Sequence, residues 1–204
     1  MDRDKTVGFV LMAAGNAVRF GANKLTETLG GRALIDRALD VIPDGCPAVV
    51  VSQYDTVLAR AGARGFLTVR NDRPDEGVSR TIRLGVAALA RCDALAFLVG
   101  DQPLLRRETV ESEVRFYRAH PDCIVALAHD GKKGNPCIFP RIYFEELMNL
   151  RGDTGGSAVI RRHMQRLKLL PAPACELADA DSPEALAALR ALAVSPEGAA
   201  NGYV

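Results

Sequence analysis

The run Val7-Gly8-Phe9-Val10-Leu11-Met12 restricts the fold more than any other stretch of this chain. It is apolar at nearly every position and has the length of a strand, so both of its faces must be buried. That is the mark of a strand inside a parallel sheet. The run stops at Ala13-Ala14-Gly15, small residues that let a ligand approach the backbone, and a short loop follows with Arg19, Gly21 and Lys24. A strand that delivers a small-residue turn and then two cations is an arrangement for gripping a phosphorylated ligand. Two common phosphate motifs do not fit. Lys24 is followed by Leu25 and sits three residues after Gly21, which rules out a Walker A loop; the dinucleotide fingerprint has only Gly15 and Gly21 available.

Downstream, strand and helix patterns alternate. Ala33 to Val41 has apolar residues at helical spacing, Ala48 to Val51 reads as a strand, Tyr54 to Ala61 as a helix and Phe66 to Val69 as a strand. Alternation of this kind predicts an α/β fold with a mostly parallel sheet and helices on both faces. With 204 residues, one domain over 1–194 is expected, with a frayed tail over 195–204. Net charge is +1 without a basic tail, which argues against duplex nucleic acid as a partner. The five cysteines are scattered singly, with no C-x-x-C pair, so a reducing cytoplasmic setting is expected rather than a disulfide framework or a zinc site. No stretch approaches the length of a membrane span, and no signal peptide is visible.

Four later segments carry candidate chemistry. In Asn71 to Val86, Gly77-Val78-Ser79 can open a helix with Ser79 as its N-cap, and a plain capped helix is the simplest reading. Ala94 to Val99 is a strongly apolar strand ending in Gly100-Asp101-Gln102-Pro103. An acidic residue at the carboxyl end of such a strand is placed to meet a ligand, the alternative being a cap for the helix that starts near Arg106. Cys123 to Ala128 and Pro136 to Phe139 read as a pair of strands around the polar turn from His129 to Gly134, either a hairpin or an excursion from the parallel sheet. In Arg151-Gly152-Asp153-Thr154-Gly155-Gly156-Ser157 the glycines suit a phosphate, and Asp153 or Thr154 can cap a helix from Ser157 to Gln165. Last, Asp179 and Asp181 lie two residues apart on an extended segment, ahead of a helix that begins near Pro183.

The first stretch resembles the nucleotidyltransferase signature L-A-A-G-x-S-x-R-M-G-x-x-K-L through Leu11, Ala13, Ala14, Gly15, Arg19, Gly21, Lys24 and Leu25, with Ala17 where Ser is usual and Phe20 in place of Met. The chain resembles the MobA/MocA-like nucleotidyltransferases, and within them most closely the molybdenum cofactor cytidylyltransferases. Three further blocks fall in the same order. Gly77, Ser79, Thr81, Ile82, Arg83 and Gly85 resemble G-x-S-x-S-L-R-x-G; Gly100, Asp101 and Pro103 resemble G-D-x-P; the segment ending Asp179-Ala180-Asp181-Ser182-Pro183-Glu184 resembles D-I-D-T-P-E. Gly134-Asn135-Pro136 stands where that family has G-H-P, and Gly152-Asp153 with Gly155 where it has G-D-x-G-A-R, Ser157 replacing the Arg.

The resemblance implies a Rossmann-like three-layer fold of the nucleotide-diphospho-sugar transferase type. It also implies a division of labour. Ala13, Ala14, Gly15, Arg19, Lys24, Gly77, Ser79 and Thr81 would bind the nucleotide, with Arg19, Lys24 and Asp101 as the catalytic groups. Asp101 and Asp181 would hold Mg2+, and Asn135, Gly152 and Asp153 would face the acceptor. The implied reaction is transfer of CMP from CTP to the phosphate of molybdopterin or the molybdenum cofactor, with release of pyrophosphate. Ala14 points to CTP because its methyl group narrows the base pocket, where guanylyl members carry a second glycine. The alternatives are GTP as donor, a sugar phosphate as acceptor, and a non-catalytic carrier that hands cofactor to a molybdenum hydroxylase apo-enzyme.

Overall fold

The computed structural model describes residues 5–15 and 23–194. Its centre is β1 (Val7–Met12), which pairs in parallel with β4 (Ala48–Ser52) on one side and β6 (Ala94–Val99) on the other. Between β1 and β4 lie a tiny hairpin, β2 (Thr28–Leu29) and β3 (Arg32–Ala33), and the helix α1 (Leu34–Asp40). The hairpin turns on Gly30 and Gly31, at φ 59° and 76°, a conformation that only glycine adopts without strain. Two-residue strands are too short to show alternation, so the sequence pattern does not reveal this hairpin.

Helix α2 (Asp55–Ala63) leads to β5 (Leu67–Arg70), and α3 (Val78–Ala88) leads to β6. Helix α4 (Arg107–Ala119) follows, then the antiparallel pair β7 (Ile124–His129) and β8 (Lys132–Pro140). The turn between them is only Asp130-Gly131, at φ 47° and 75°, so Lys132 and Lys133 belong to the strand rather than to the expected six-residue turn. Short helices α5 (Phe144–Met148) and α6 (Ser157–Arg162) precede β9 (Leu167–Pro171), and α7 (Pro183–Val194) closes the described chain. The strands form one sheet in the order β5-β4-β1-β6-β8-β7-β9, parallel except where β8 enters.

The two faces of the sheet bury different residues, as the period of two requires. Phe9, Leu11, Val50, Ala96, Leu98 and Leu127 pack on one side with Val57 of α2 and Val110, Val114 and Tyr117 of α4. Val10, Val49, Phe97 and Phe139 pack on the other with Ile82 and Val86 of α3 and Leu147 of α5. This is the three-layer α/β fold the sequence predicted. A Cβ at Gly85 would stand 2.3 Å from a methyl of Val10, so α3 lies hard against the central strand. A third cluster, Leu29, Leu34, Leu104, Leu186 and Leu189, fastens α7 beside the carboxyl ends of the strands. No described helix is long and apolar enough to cross a membrane.

Candidate active site

The carboxyl ends of β1 and β6 open onto a cavity of about 460 Å³. On its floor Lys24 Nζ donates to Asp101 Oδ2 at 2.6 Å and to Asp181 Oδ1 at 3.0 Å. Lys24 sits on a single 3-10 turn whose entry is capped by Asn23, the Asn23 side chain accepting from the Leu25 N–H at 3.1 Å. Burial works to lower the Lys24 pKa, but the charges and hydrogen bonds of Asp101 and Asp181 outweigh it and raise it above 10.5. Asp101 caps no helix: α4 begins six residues later, behind Arg106. Arg19, with Ala17 and Gly21, lies outside the described residues.

Asp101 and Asp181 come from distant parts of the sequence, and a strap holds them opposite each other. The Ala180 N–H donates to the Asp101 carbonyl at 2.8 Å. The buried Gln102 side chain donates to the Leu177 carbonyl at 3.2 Å and hydrogen-bonds Asp179. The buried Glu176 carboxylate accepts from the Arg106 N–H at 3.1 Å. Burial and the nearby charge of Asp101 raise the Asp179 pKa, with the Gln102 bond opposing. Of the late acidic pair, therefore, Asp181 meets Lys24 and Asp179 serves the strap. Sequence reading missed Gln102 and Glu176, whose partners lie far away in the chain.

The small-residue turn forms one wall. Its carbonyls are taken up by a polar triplet that begins with the last residue of β4: Ser52 Oγ donates to Ala13 O at 2.7 Å, Gln53 Nε2 to Ala14 O at 2.9 Å and Tyr54 OH to Gly15 O at 3.1 Å. These three residues were also missed, although Ser-Gln-Tyr directly after a buried strand is a readable signal. Fixing the backbone of residues 13–15 in this way keeps a ligand-facing turn from collapsing into its own cavity.

The opposite wall is the start of α3. Gly77 at φ 78° is the N-cap, and Val78 and Thr81 face the cavity. Ser79 is not the cap. It is fully buried, and its hydroxyl accepts from Arg83 at 3.1 Å instead of lining the cavity. Thr81 Oγ1 accepts from the buried Asn71 at 3.2 Å. Behind the wall, Glu76 receives Arg73, Arg80 and Arg83, and Arg83 also donates to the Leu150 carbonyl at 2.8 Å.

The loop 151–156 closes against this wall. Ser79 N donates to Gly152 O at 3.2 Å, and a Cβ on Gly77 would lie 2.4 Å from the Gly152 carbonyl carbon. Asp153 therefore lines the first cavity, across from Lys24. Neither Asp153 nor Thr154 caps α6, whose N-cap is Gly156 with no side-chain bond. Asn135 lies apart from Gly152 and Asp153, in a second cavity of about 220 Å³ that shares Met12, Val78 and Val99 with the first. Phe97, Phe139, Ile82 and Leu147 add to its apolar lining.

The MobA-like NTP transferase domain matches residues 9–167, most of the chain. The chain belongs to that family. A curated relative, the bifunctional protein GlmU of Synechococcus sp. (strain CC9311), is 26% identical over 140 residues, covering 65% of this chain and 30% of its own length. The chain thus spans about a third of the length of the curated relatives it matches. Among solved structures, the manganese complex of Rv0371c from Mycobacterium tuberculosis H37Rv aligns with a TM-score of 0.74 at 21% identity, covering 92% of this chain and 98% of that one. Molybdopterin-guanine dinucleotide biosynthesis protein A from Archaeoglobus fulgidus aligns with a TM-score of 0.66 at 14% identity, covering 91% and 97%. At these identities the structural likeness is one of fold.

Proposed function

We propose that this chain transfers CMP from CTP to the phosphate of molybdopterin or its molybdenum-loaded form, releasing pyrophosphate. The observation that carries this reading is the convergence of Asp101 and Asp181 on Lys24, at the floor of a cavity walled by the Ala13–Gly15 turn and by Gly77–Thr81. A turn of small residues admits phosphates close to the backbone, and the opposite wall leaves room for base and ribose.

The donor set fits a magnesium ion. Two carboxylates converge on one point, and among the described residues no third His, Cys, Asp or Glu joins them, which suits a cation that takes one or two carboxylates and fills its shell with phosphate and water. Magnesium held by Asp101 and Asp181 would supply charge neutralisation at the phosphates. Lys24, on the floor of the same cavity, would offset the charge that grows on the α-phosphoryl group. Arg19 is assigned to the β- and γ-phosphates on the strength of the sequence motif. A phosphate monoester is anionic near neutral pH, its second pKa being about 6. No general base is then needed, and alignment with charge stabilisation provides the catalysis.

Ala14 supports CTP over GTP, since its methyl group faces the cavity that must hold the base. The apolar lining of the second cavity supports an acceptor with a flat ring over a sugar phosphate, whose hydroxyls would find few partners there. The deciding experiment is magnesium-dependent pyrophosphate release from CTP plus molybdopterin, with GTP in parallel. Turnover with GTP equal to or faster than with CTP would reject the base assignment. Delivery of cofactor to a molybdenum hydroxylase apo-enzyme by an inactive Asp101→Ala variant would favour a carrier instead.

A further inference from the structure

The first cavity is acidic around its one described lysine, with Asp101, Asp153 and Asp181 all in its lining. An acceptor that brings a phosphate to this place meets repulsion unless a cation receives it. The lining of the second cavity contains a single charged side chain, Lys133. Its Nζ donates to the Ser157 hydroxyl at 2.7 Å, and among the described residues it forms no ion pair with a carboxylate. Every other lining residue is apolar or uncharged.

The backbone is shaped to bring Lys133 and Ser157 together. The register of β7 against β8 shifts between Ala126 and Ala128, so that Ala126 faces Cys137 and Ala128 faces Lys133, and Gly134-Asn135-Pro136 swing out of the ladder. That excursion carries Asn135 into the cavity and aims Lys133 along its rim. From the other side, Gly156 lies so close to Phe139 that a Cβ would stand 2.9 Å from the ring, which lets the loop descend until Ser157 meets the lysine. Lys132, one residue earlier, alternates to the opposite face of the strand and is absent from the lining.

We propose that Lys133, oriented by Ser157 and flanked by Asn135, holds the phosphate of the acceptor and so selects for phosphomonoester acceptors. The kinetic part rests on the nucleotidyl-transfer reading above. An ammonium with a hydroxyl at its side offers an anionic oxygen a charge-assisted hydrogen bond, and its position on the rim leaves the apolar interior for the body of the acceptor.

Two measurements on the full chain test this, and the first needs no knowledge of the acceptor. Pyridoxal 5′-phosphate joins an aldehyde to a phosphate monoester and forms an imine with a lysine, fixed by borohydride. Peptide mapping should show Lys133 labelled about tenfold faster than the adjacent Lys132, with inorganic phosphate protecting Lys133 alone. Equal labelling of the two would overturn the proposal. The second is a KM split in pyrophosphate release from CTP and molybdopterin. Lys133→Met should raise the KM for molybdopterin about tenfold or more and leave that for CTP within about twofold, and Lys133→Arg should restore most of the loss. A parallel rise in both KM values, or none in the acceptor's, rejects the assignment. Should the wild-type protein not turn over these substrates, the nucleotidyl-transfer reading falls and the labelling ratio alone decides.

Discussion

Gly77 and Gly131 share nearly the same positive φ, 78° and 75°, but have different surroundings. A Cβ on Gly131 would meet nothing within 4 Å, whereas one on Gly77 would collide with the backbone of Gly152 and Asp153. Gly131→Ala should therefore cost only the conformational strain, about 1–2 kcal/mol. Gly77→Ala should cost that and overpacking as well, about 3 kcal/mol or more. Urea midpoints compare them directly, and equal losses would mean that the close approach is not felt. Glu113 makes a second case. It is buried on α4, accepts from the Leu127 N–H where β7 loses its register with β8, and leaves its Oε1 without a partner. Burial raises its pKa well above 4.5. Below that value both folded and unfolded chains hold the proton. Above it the unfolded chain releases the proton first, so this group's contribution to stability declines as pH rises toward the folded pKa. Glu113→Gln should remove that decline and gain on the wild type as pH rises above about 4.5; stability curves that stay parallel would contradict it.

At the scale of elements, the strap from Ala174 to Asp181 turns two separate acidic residues into one site. Gln102 is its keystone, joined to the Leu177 carbonyl and to Asp179. Gln102→Leu should lower kcat by up to about a hundredfold through misplacement of Asp181 while changing the KM for CTP little. A KM that rises with an unchanged kcat would assign Gln102 to nucleotide binding instead. Elements also mark where the sequence could be read and where it could not. β1, β4 and β6 were legible because buried parallel strands are continuous apolar runs, and Asp101 stood out as a carboxylate at the end of one. Helix α3 was placed correctly but capped wrongly: a serine near a helix start is ambiguous by one turn, and the positive φ of Gly77 decided it. The functions of Ser52, Gln102 and Glu176 were not legible, because each acts through a partner that the chain brings up from 39 to 75 residues away.

For the whole molecule, the two cavities lie side by side near the carboxyl ends of the central strands and share Met12, Val78 and Val99. The central strands, α3 and the 151–156 loop all contribute to them, so occupancy should stabilise the fold. Saturation with CTP and magnesium at about a hundred times Kd should raise Tm by about 5–10 °C for a chain of this size. Asp101→Ala should abolish most of that shift with a small effect on the unliganded Tm. A shift that survives in this variant would move the nucleotide elsewhere.

The interlock of Gly77 with Gly152 also bears on how such a protein can change its preferences over time. The start of α3, proposed above for the base, and the 151–156 loop, proposed for the acceptor, meet backbone to backbone although they are far apart in sequence. A side chain added at Gly77 displaces the backbone of Gly152 and Asp153, whereas one at Gly152 meets nothing within 4 Å. New side chains at Gly77 would be reached only through coupled changes in the facing loop, and a library that varies Gly77 alone should return mostly inactive clones.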